Sequence, residues 1–257
     1  MTQVDYDAVA PEFDRRYAHN TFAGIERALA RFVARTAPAP AVVIEIGCGT
    51  GHWLAFIAPL ARAVVGVDRS WAMLERARMT ASGAMLARAT AEHLAFATGG
   101  FDRAFCINAL HHFNDQRAFM KECRRILRPG GAFLSVGLDP HAGLDQWWIY
   151  DYFPAALAAD RKRYAPTEHI RALLTESGFV APQTEVAHHV PANRAFEVAL
   201  RQGLLERHST SQLMVISDAE YEAGRERLFR ERPILRSNLR LYATVAQVGP
   251  AVGLSGA

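Results

Sequence analysis

Residues Val43–Gly51 read VIEIGCGTG, and this stretch limits the possible folds of the chain more than any other. A β-branched apolar run ends in three glycines at alternate positions, Gly47, Gly49 and Gly51, and a helix-compatible stretch, His52–Leu60, follows. A second apolar run, Ala63–Val67, then ends in Asp68. The pattern predicts a strand, a tight turn, a helix, and a second strand with a carboxylate at its C-terminal tip. Glycine admits the positive φ and the close backbone approach that a Cβ forbids. An acid 21 residues beyond Gly47 stands where such strand–turn–helix sites bind ribose hydroxyls. An adenosine-containing cofactor is therefore expected at this turn.

The dinucleotide fingerprint G-x-G-x-x-G requires a third glycine at position 52, and that residue is His52. The third glycine of that motif serves close helix–strand packing beside a pyrophosphate, so the register argues against a nicotinamide dinucleotide. The E-x-G-x-G-x-G pattern from Glu45 to Gly51 instead resembles motif I of the class I S-adenosylmethionine (SAM)-dependent methyltransferases, of the small-molecule, type 11/25-like kind. Val64–Arg78, VVGVDRSWAMLERAR, is similar to the second family motif. TAEHLAF at Thr90–Phe96 stands where the family usually reads D-A-x-x-L-P-F, with Thr90 in the position of the aspartate. Phe101–Asp115 resembles the fourth strand and its loop, and the L-R-P-G-G turn within Lys121–Val136 resembles the family's approach to strand five.

The resemblance implies SAM as the cofactor, and it assigns residues. Glu45, Gly47, Cys48, Gly49 and Gly51 form the loop at the methionine end, and Asp68 takes the ribose. Arg69, Met73, Thr90, Ala91 and Glu92 lie near the adenine, with Asn108 at the end of strand four. A threonine hydroxyl accepts a hydrogen bond about half as strong as the charge-assisted bond of the aspartate it replaces.

Apolar strands at about 41–46, 63–67, 84–87, 101–107 and 131–137 alternate with helical patterns. This predicts an α/β, doubly wound, Rossmann-like sheet of seven mostly parallel strands. Thr167–Val180 reads as a capped helix stopped by Gly178 and followed by strand six, and Leu239–Ala246 as an antiparallel last strand. Residues 1–40 are expected to be a helical cap, with Phe13, Tyr17, Ile25, Leu29, Phe32 and Val33 along one face of a helix over 5–36. The SAM-binding domain spans 41–247, with helical cap or lid insertions at about 139–165 and 190–236, and 248–257 reads as a disordered tail. Long structured inserts at the rim where open α/β sheets bind ligands act as lids, extend the core or form an interface between copies.

Half of the 257 residues are apolar, and no apolar run nears ~18 residues, so no membrane span is expected. The amino terminus lacks a basic segment followed by an apolar one, which argues against a secretory signal. Cys48, Cys106 and Cys123 are spaced as reduced core thiols, which suits the cytoplasm. The net charge of +3 is carried almost wholly by arginine, and Lys121 and Lys162 are the only lysines, a bias that suggests a GC-rich bacterial genome. The arginine clusters alternate with glutamates at helical spacing and read as solvated faces, not as a nucleic-acid surface.

The first insert carries Trp147, Trp148, Tyr150, Tyr152 and Phe153 within seven positions. Tyr17, Trp147, Trp148 and Tyr150 are the candidate acceptor contacts, since an aromatic wall favours a flat apolar molecule and excludes water. Packing beneath the N-terminal arm is the competing role. His111 and His112 follow strand four, where the resemblance places residues facing donor and acceptor. Both are candidate proton acceptors, and lining the cofactor pocket is the alternative. No metal-ligand spacing is present. The expected activity is direct in-line transfer of a methyl group from SAM to O, N or C of a small molecule, by a monomer or homodimer. The alternative is a weak or inactive SAM-binding relative.

Overall fold

The computed structural model describes residues 6–10, 13–14, 17, 21–34 and 41–249. Its centre is a sheet in the order β3-β2-β1-β4-β5-β8, in which β1 (Val42–Ile46), β2 (Ala63–Asp68), β3 (Met85–Arg88), β4 (Phe101–Ile107) and β5 (Leu127–Gly137) run parallel. The last strand, β8 (Ile234–Val248), runs antiparallel to β5. It also pairs antiparallel with the edge strand β7 (Phe179–Ala195) and with β6, the two residues Gln146–Trp147. The fold is thus the expected Rossmann-like one, with eight strands where seven were predicted. The additional strand is the short β6, too brief to leave a pattern in the sequence.

Alternation along the strands builds two cores. Ile44, Ile46, Val65 and Val67 face one side of the sheet, where α5 (Gln116–Ile126) and α8 (Thr167–Glu176) add Phe119, Met120, Ile170 and Leu174. Val43, Val64 and Phe105 face the other side, against Ile25, Leu29 and Phe32 of α2 (Ala23–Ala34) and Trp53, Leu54 and Ile57 of α3 (His52–Ile57). Between β2 and β3, α4 (Trp71–Thr80) starts at Ser70, whose hydroxyl accepts from the Met73 amide at 3.1 Å.

Four boundary expectations are corrected. The helix predicted over 5–36 is not continuous: between α1 (Tyr6–Val9) and α2 the chain makes a turn at Phe13–Asp14 and is non-helical at Thr21–Phe22. The strand predicted at 131–137 begins at Leu127, since the L-R-P-G-G turn forms an irregularity inside the ladder with β4. The segment predicted as a helical insert over 190–236 is strand at both ends, because Pro191–Ala195 pairs residue by residue with Ile234–Asn238. Ladder pairing between residues 39 to 47 positions apart overrides the helix-compatible local composition there. Val248, predicted as the first residue of a disordered tail, pairs with Phe179, and residues 250–257 lie outside the described set.

The two inserts form one body. α6 (Trp148–Tyr152) and α7 (Pro154–Arg163) from the first pack against α9 (Phe196–Arg201), α10 (Ser211–Met214) and α11 (Asp218–Glu231) from the second. They share a third core containing Trp148, Phe153, Phe196, Leu213, Tyr221 and Leu228. The helices approach so closely that a Cβ on Gly224 would lie 2.4 Å from the Phe153 ring. Burial of each such large side chain stabilises this insert body by roughly 1.5–3 kcal/mol.

Candidate active site

The glycine turn is held by the strand beside it. The amides of Gly47 and Cys48 both donate to the Val67 carbonyl, at 2.8 and 3.0 Å. Gly47, Gly49 and Gly51 all have positive φ, at 75°, 52° and 82°, which explains their alternation. Their surroundings separate their roles. A Cβ on Gly47 would lie 2.6 Å from that of Ala109, and one on Gly51 would press on Ala77 of α4 at 3.0–3.1 Å, so these two permit close packing. Around Gly49 the nearest atom to such a Cβ is the Phe13 ring at 3.7 Å, so the loop presents open backbone there.

Asp68, at the tip of β2, is tied by both carboxylate oxygens: Oδ2 accepts from the Gly49 amide at 2.9 Å and Oδ1 from the Ser70 amide at 2.9 Å. Burial raises its pKa, and the hydrogen bonds from the Ser70, Gly49 and Arg69 amides oppose that rise. The carboxylate is thus fixed in direction, with lone pairs left to accept ligand hydroxyls. Behind it Glu45 is 1 % exposed with Oε2 unpartnered, and burial and then the charge of Asp68 push its carboxyl well above the usual range.

These elements open onto a cavity of about 340 Å³. Of the residues assigned to the cofactor, Gly47, Cys48, Gly49, Asp68, Arg69, Met73, Thr90, Ala91, Glu92 and Asn108 line it. Glu45 and Gly51 do not: the first lies beneath the loop and the second packs on α4. Glu92 also braces the site from across the mouth, accepting from the amides of Asn114 at 2.8 Å and Asp115 at 3.2 Å.

The N-terminal segment covers the cofactor end. Thr50 donates to Asp14, Ser70 donates to Asp7 at 2.6 Å, and the Tyr6 hydroxyl meets His112 Nε2 at 2.5 Å. Tyr6, Phe13, Tyr17 and Phe22 line the cavity, with Tyr17 stacked on His52 at 3.7 Å between ring centroids.

The opposite end is built by the joined inserts and by the outer half of the β7–β8 ribbon. Of the candidate acceptor residues, Tyr17, Trp147 and Trp148 reach the cavity, whereas Tyr150 turns away and donates to Asp160 at 2.7 Å. Asp160 is wholly buried, pairs with Arg163, and also accepts from Gln212 Nε2 at 2.9 Å. Tyr164 stacks on His111 at 3.9 Å between centroids and 18° between planes. His111 and His112 both line the cavity. Sequence reasoning missed Tyr6, Trp53, Tyr164, Arg194, Gln212 and Leu239, which also line it. Only the N-terminal aromatic spacing hinted at this wall; the others come from segments read as helix, insert or, for Leu239, the last strand. Among the described residues no group of three or more His, Cys, Asp or Glu side chains is placed to hold a metal ion.

A parallel sheet with an antiparallel last strand, a glycine turn after β1 and an anchored acid after β2 give the Rossmann-like α/β fold that methyltransferases share. The comparisons agree. Residues 44–135 match the family described as "Methyltransferase domain". An O-methyltransferase of Pyrenophora dematioidea is 30 % identical over 181 residues, 64 % of this chain and 64 % of that protein. The methyltransferase YcgJ of Bacillus subtilis is 35 % identical over 99 residues, 37 % of this chain and 39 % of that protein. The crystal structure of YcgJ aligns with 88 % of this chain and 98 % of its own, with a TM-score of 0.63 and 20 % identity. The SAM complex of Haemonchus contortus phosphoethanolamine N-methyltransferase 2 aligns with 95 % of this chain and 57 % of its own, with a TM-score of 0.60 and 19 % identity. The chain spans less than two thirds of the length of the curated relatives it matches first. Over residues 44–135 the chain is thus similar to the methyltransferase domains of the class I SAM-dependent kind.

Proposed function

We propose that the chain binds SAM and transfers its methyl group directly to the oxygen, nitrogen or carbon of a small-molecule acceptor. The observation that carries this reading is the anchored Asp68 carboxylate beside the open backbone of Gly49, both facing a cavity whose far end is closed by an aromatic lid. Gly47–Gly49 would hold the methionine end, Asp68 the ribose, and Arg69, Met73, Thr90, Ala91 and Glu92 the adenine, with Asn108 beside them. When bound, SAM supplies a methyl already activated by the sulfonium. The chain's own residues then need to bind, orient and exclude water, and orientation alone contributes roughly 7–11 kcal/mol. Trp147 and Trp148 form the apolar wall against which the acceptor is positioned, and Tyr17 closes the cofactor side.

Among the described residues no helix is long and apolar enough to cross a membrane, and Cys48, Cys106 and Cys123 are free and buried. Free buried thiols suit a reducing, cytoplasmic setting, and we propose a monomer or homodimer that acts without nucleic acid. Calorimetric titration with SAM and S-adenosylhomocysteine, with NAD as control, tests the cofactor. Micromolar binding of both sulfur ligands and none of NAD is expected, and binding of neither removes the reading.

One observation favours a weaker cofactor site: Thr90 is exposed and carries no charge where the family pattern has aspartate. On that reading Thr90→Asp tightens SAM several-fold in the same titration. Unchanged affinity places the adenine grip elsewhere.

A further inference from the structure

Among the described residues at the acceptor end of the cavity there is one guanidinium, that of Arg194, and strand alternation sets its place. Val190, Ala192 and Arg194 of β7 all line the cavity, two residues apart along one face of the strand. On β8, Leu239 lies opposite Val190, Ser237 opposite Ala192, and Leu235 opposite Arg194. Leu235 is buried in the insert core, so Arg194 is rooted where the ribbon meets the joined inserts. β8 leaves β5 at Tyr242, which pairs with Gly137, and Leu235 lies seven residues further along. At a rise of about 3.3 Å per residue that is at most roughly 23 Å. The cation thus stands well beyond the strand tips that carry the glycine turn and Asp68.

The register also places an apolar ring near it. Trp147 of β6 pairs with Ser237 on the side of β8 away from β7, so Trp147, Ser237 and Ala192 form one row across three strands. Arg194 lies two strands over and two residues along from Trp147, which separates their Cα atoms by roughly 12 Å. The small side chains of Ser237 and Ala192 leave a notch between the indole and the guanidinium. Of the other hydroxyls at this end, Ser209 donates to the Leu204 carbonyl at 3.0 Å and Thr210 donates to the Gln212 side chain. Ser237 stands diagonally across the ladder from Arg194.

The charges favour one sign of ligand. Among the described lining residues the carboxylates are Asp68 and Glu92, both at the cofactor end and both accepting backbone amides. Behind the acceptor wall Asp160 is met by Arg163, Tyr150 and Gln212, so its charge is satisfied within the insert body. An acceptor bearing an ammonium would lose its hydration with no lining carboxylate to replace it, which is costly. A carboxylate also loses hydration, but it recovers a charge-assisted, bidentate contact with the planar guanidinium. A phosphate dianion brings two charges to one cation and leaves one uncompensated.

Resting on the methyl-transfer reading above, we propose that the acceptor is an apolar, ring-bearing molecule with a carboxylate distal to its methylated atom, and that Arg194 binds that carboxylate with Ser237 as second donor. The ring lies over the notch against Trp147. Arg194 acts on which molecule is accepted and takes no part in the transfer of the methyl group.

The test uses the whole chain saturated with S-adenosylhomocysteine, with 2-naphthoate, 2-naphthamide and 2-naphthyl phosphate as calorimetric probes. The carboxylate is expected to bind at least about ten-fold more tightly than the neutral amide, and more tightly than the phosphate. In Arg194→Gln the preference for carboxylate over amide should vanish, while affinity for the amide stays within about two-fold. Arg194→Lys keeps the charge and loses the fork, and should retain part of the preference. Ser237→Ala should weaken the carboxylate about two- to five-fold. Equal binding of carboxylate and amide, tighter binding of the phosphate, no binding of any probe, or a carboxylate preference that survives in Arg194→Gln overturns the proposal. Loss of S-adenosylhomocysteine from Arg194→Gln and Arg194→Lys also overturns it, since the guanidinium would then grip the cofactor's own carboxylate. Wild-type calorimetry with S-adenosylhomocysteine alone reports on the cofactor, so failure there is distinguishable from failure of the acceptor assignment.

Discussion

The two ends of the cavity are built in different ways. The cofactor end consists of backbone: three glycines at positive φ, amides aimed at Asp68, and a turn fixed by the Val67 carbonyl. All of it comes from strand tips and turns within 23 residues of Gly47 or from the next two loops. The acceptor end consists of side chains from segments far apart in the chain, joined by a core of their own and by the Asp160–Arg163 pair. On the proposed function, the cofactor is held by backbone geometry, whereas acceptor choice is left to side-chain surfaces that can be rebuilt without disturbing the sheet.

The comparison breaks if damage to one end spreads to the other. The largest effect is expected for Asp160→Ala, which leaves Arg163 buried without its partner. Loss of one member of such a pair costs about 3–5 kcal/mol. Thermal unfolding should show an early transition of the lid, while SAM affinity in calorimetry stays within a few-fold. Collapse of SAM binding would show that the two ends are energetically one.

Gly49→Val is the converse. Its Cβ has room beside Phe13, but a β-branched residue at φ 52° is strained by about 1–3 kcal/mol and fills the ligand side of the loop. SAM affinity is expected to fall at least 100-fold while circular dichroism remains that of the wild type. Retained affinity would mean that the open backbone at Gly49 is not the ligand's path.

Asp68→Ala removes the acceptor for the Gly49 and Ser70 amides as well as the proposed ribose contact. Hydrogen bonds to charged groups contribute about 1.5–3 kcal/mol, so Kd for SAM should rise about 10- to 100-fold. Unchanged affinity would sink the ribose assignment.

Glu45→Gln sharpens the comparison most finely, because Glu45 belongs to the cofactor end by sequence and to the core by position. Its folded-state pKa is raised above the unfolded value, so the native state binds more protons than the unfolded chain. Stability from this group is therefore present below the unfolded pKa near 4.5 and is lost as pH rises through the raised folded value. Denaturant titrations across that window should show a smaller decline for Glu45→Gln than for the wild type, with SAM affinity nearly unchanged.

Much of the glycine-turn end of the cavity was legible in the sequence. Ten of the residues assigned to it line the cavity, because glycine spacing and an acid at a strand end are local signals with direct backbone meaning. The two that do not, Glu45 and Gly51, lie inside the same motif and differ only in which way they point. At the acceptor end the aromatic run from Trp147 to Phe153 drew attention, yet Trp147 and Trp148 face the cavity while Tyr150 braces Asp160. Spacing along a short helix does not reveal which neighbour each ring meets.

By itself, then, the sequence determined the parallel sheet, the glycine turn and the anchored acid, since each follows from periodicity or from a residue whose backbone freedom is unusual. Tertiary structure alone decided that two inserts become one lid, that Pro191–Ala195 and Ile234–Asn238 form a wall instead of helix, and that His111 is covered by Tyr164 while His112 is held by Tyr6. These outcomes depend on contacts between residues tens to more than a hundred positions apart. Such contacts are set by the packing of whole elements and leave no periodic trace in the local sequence.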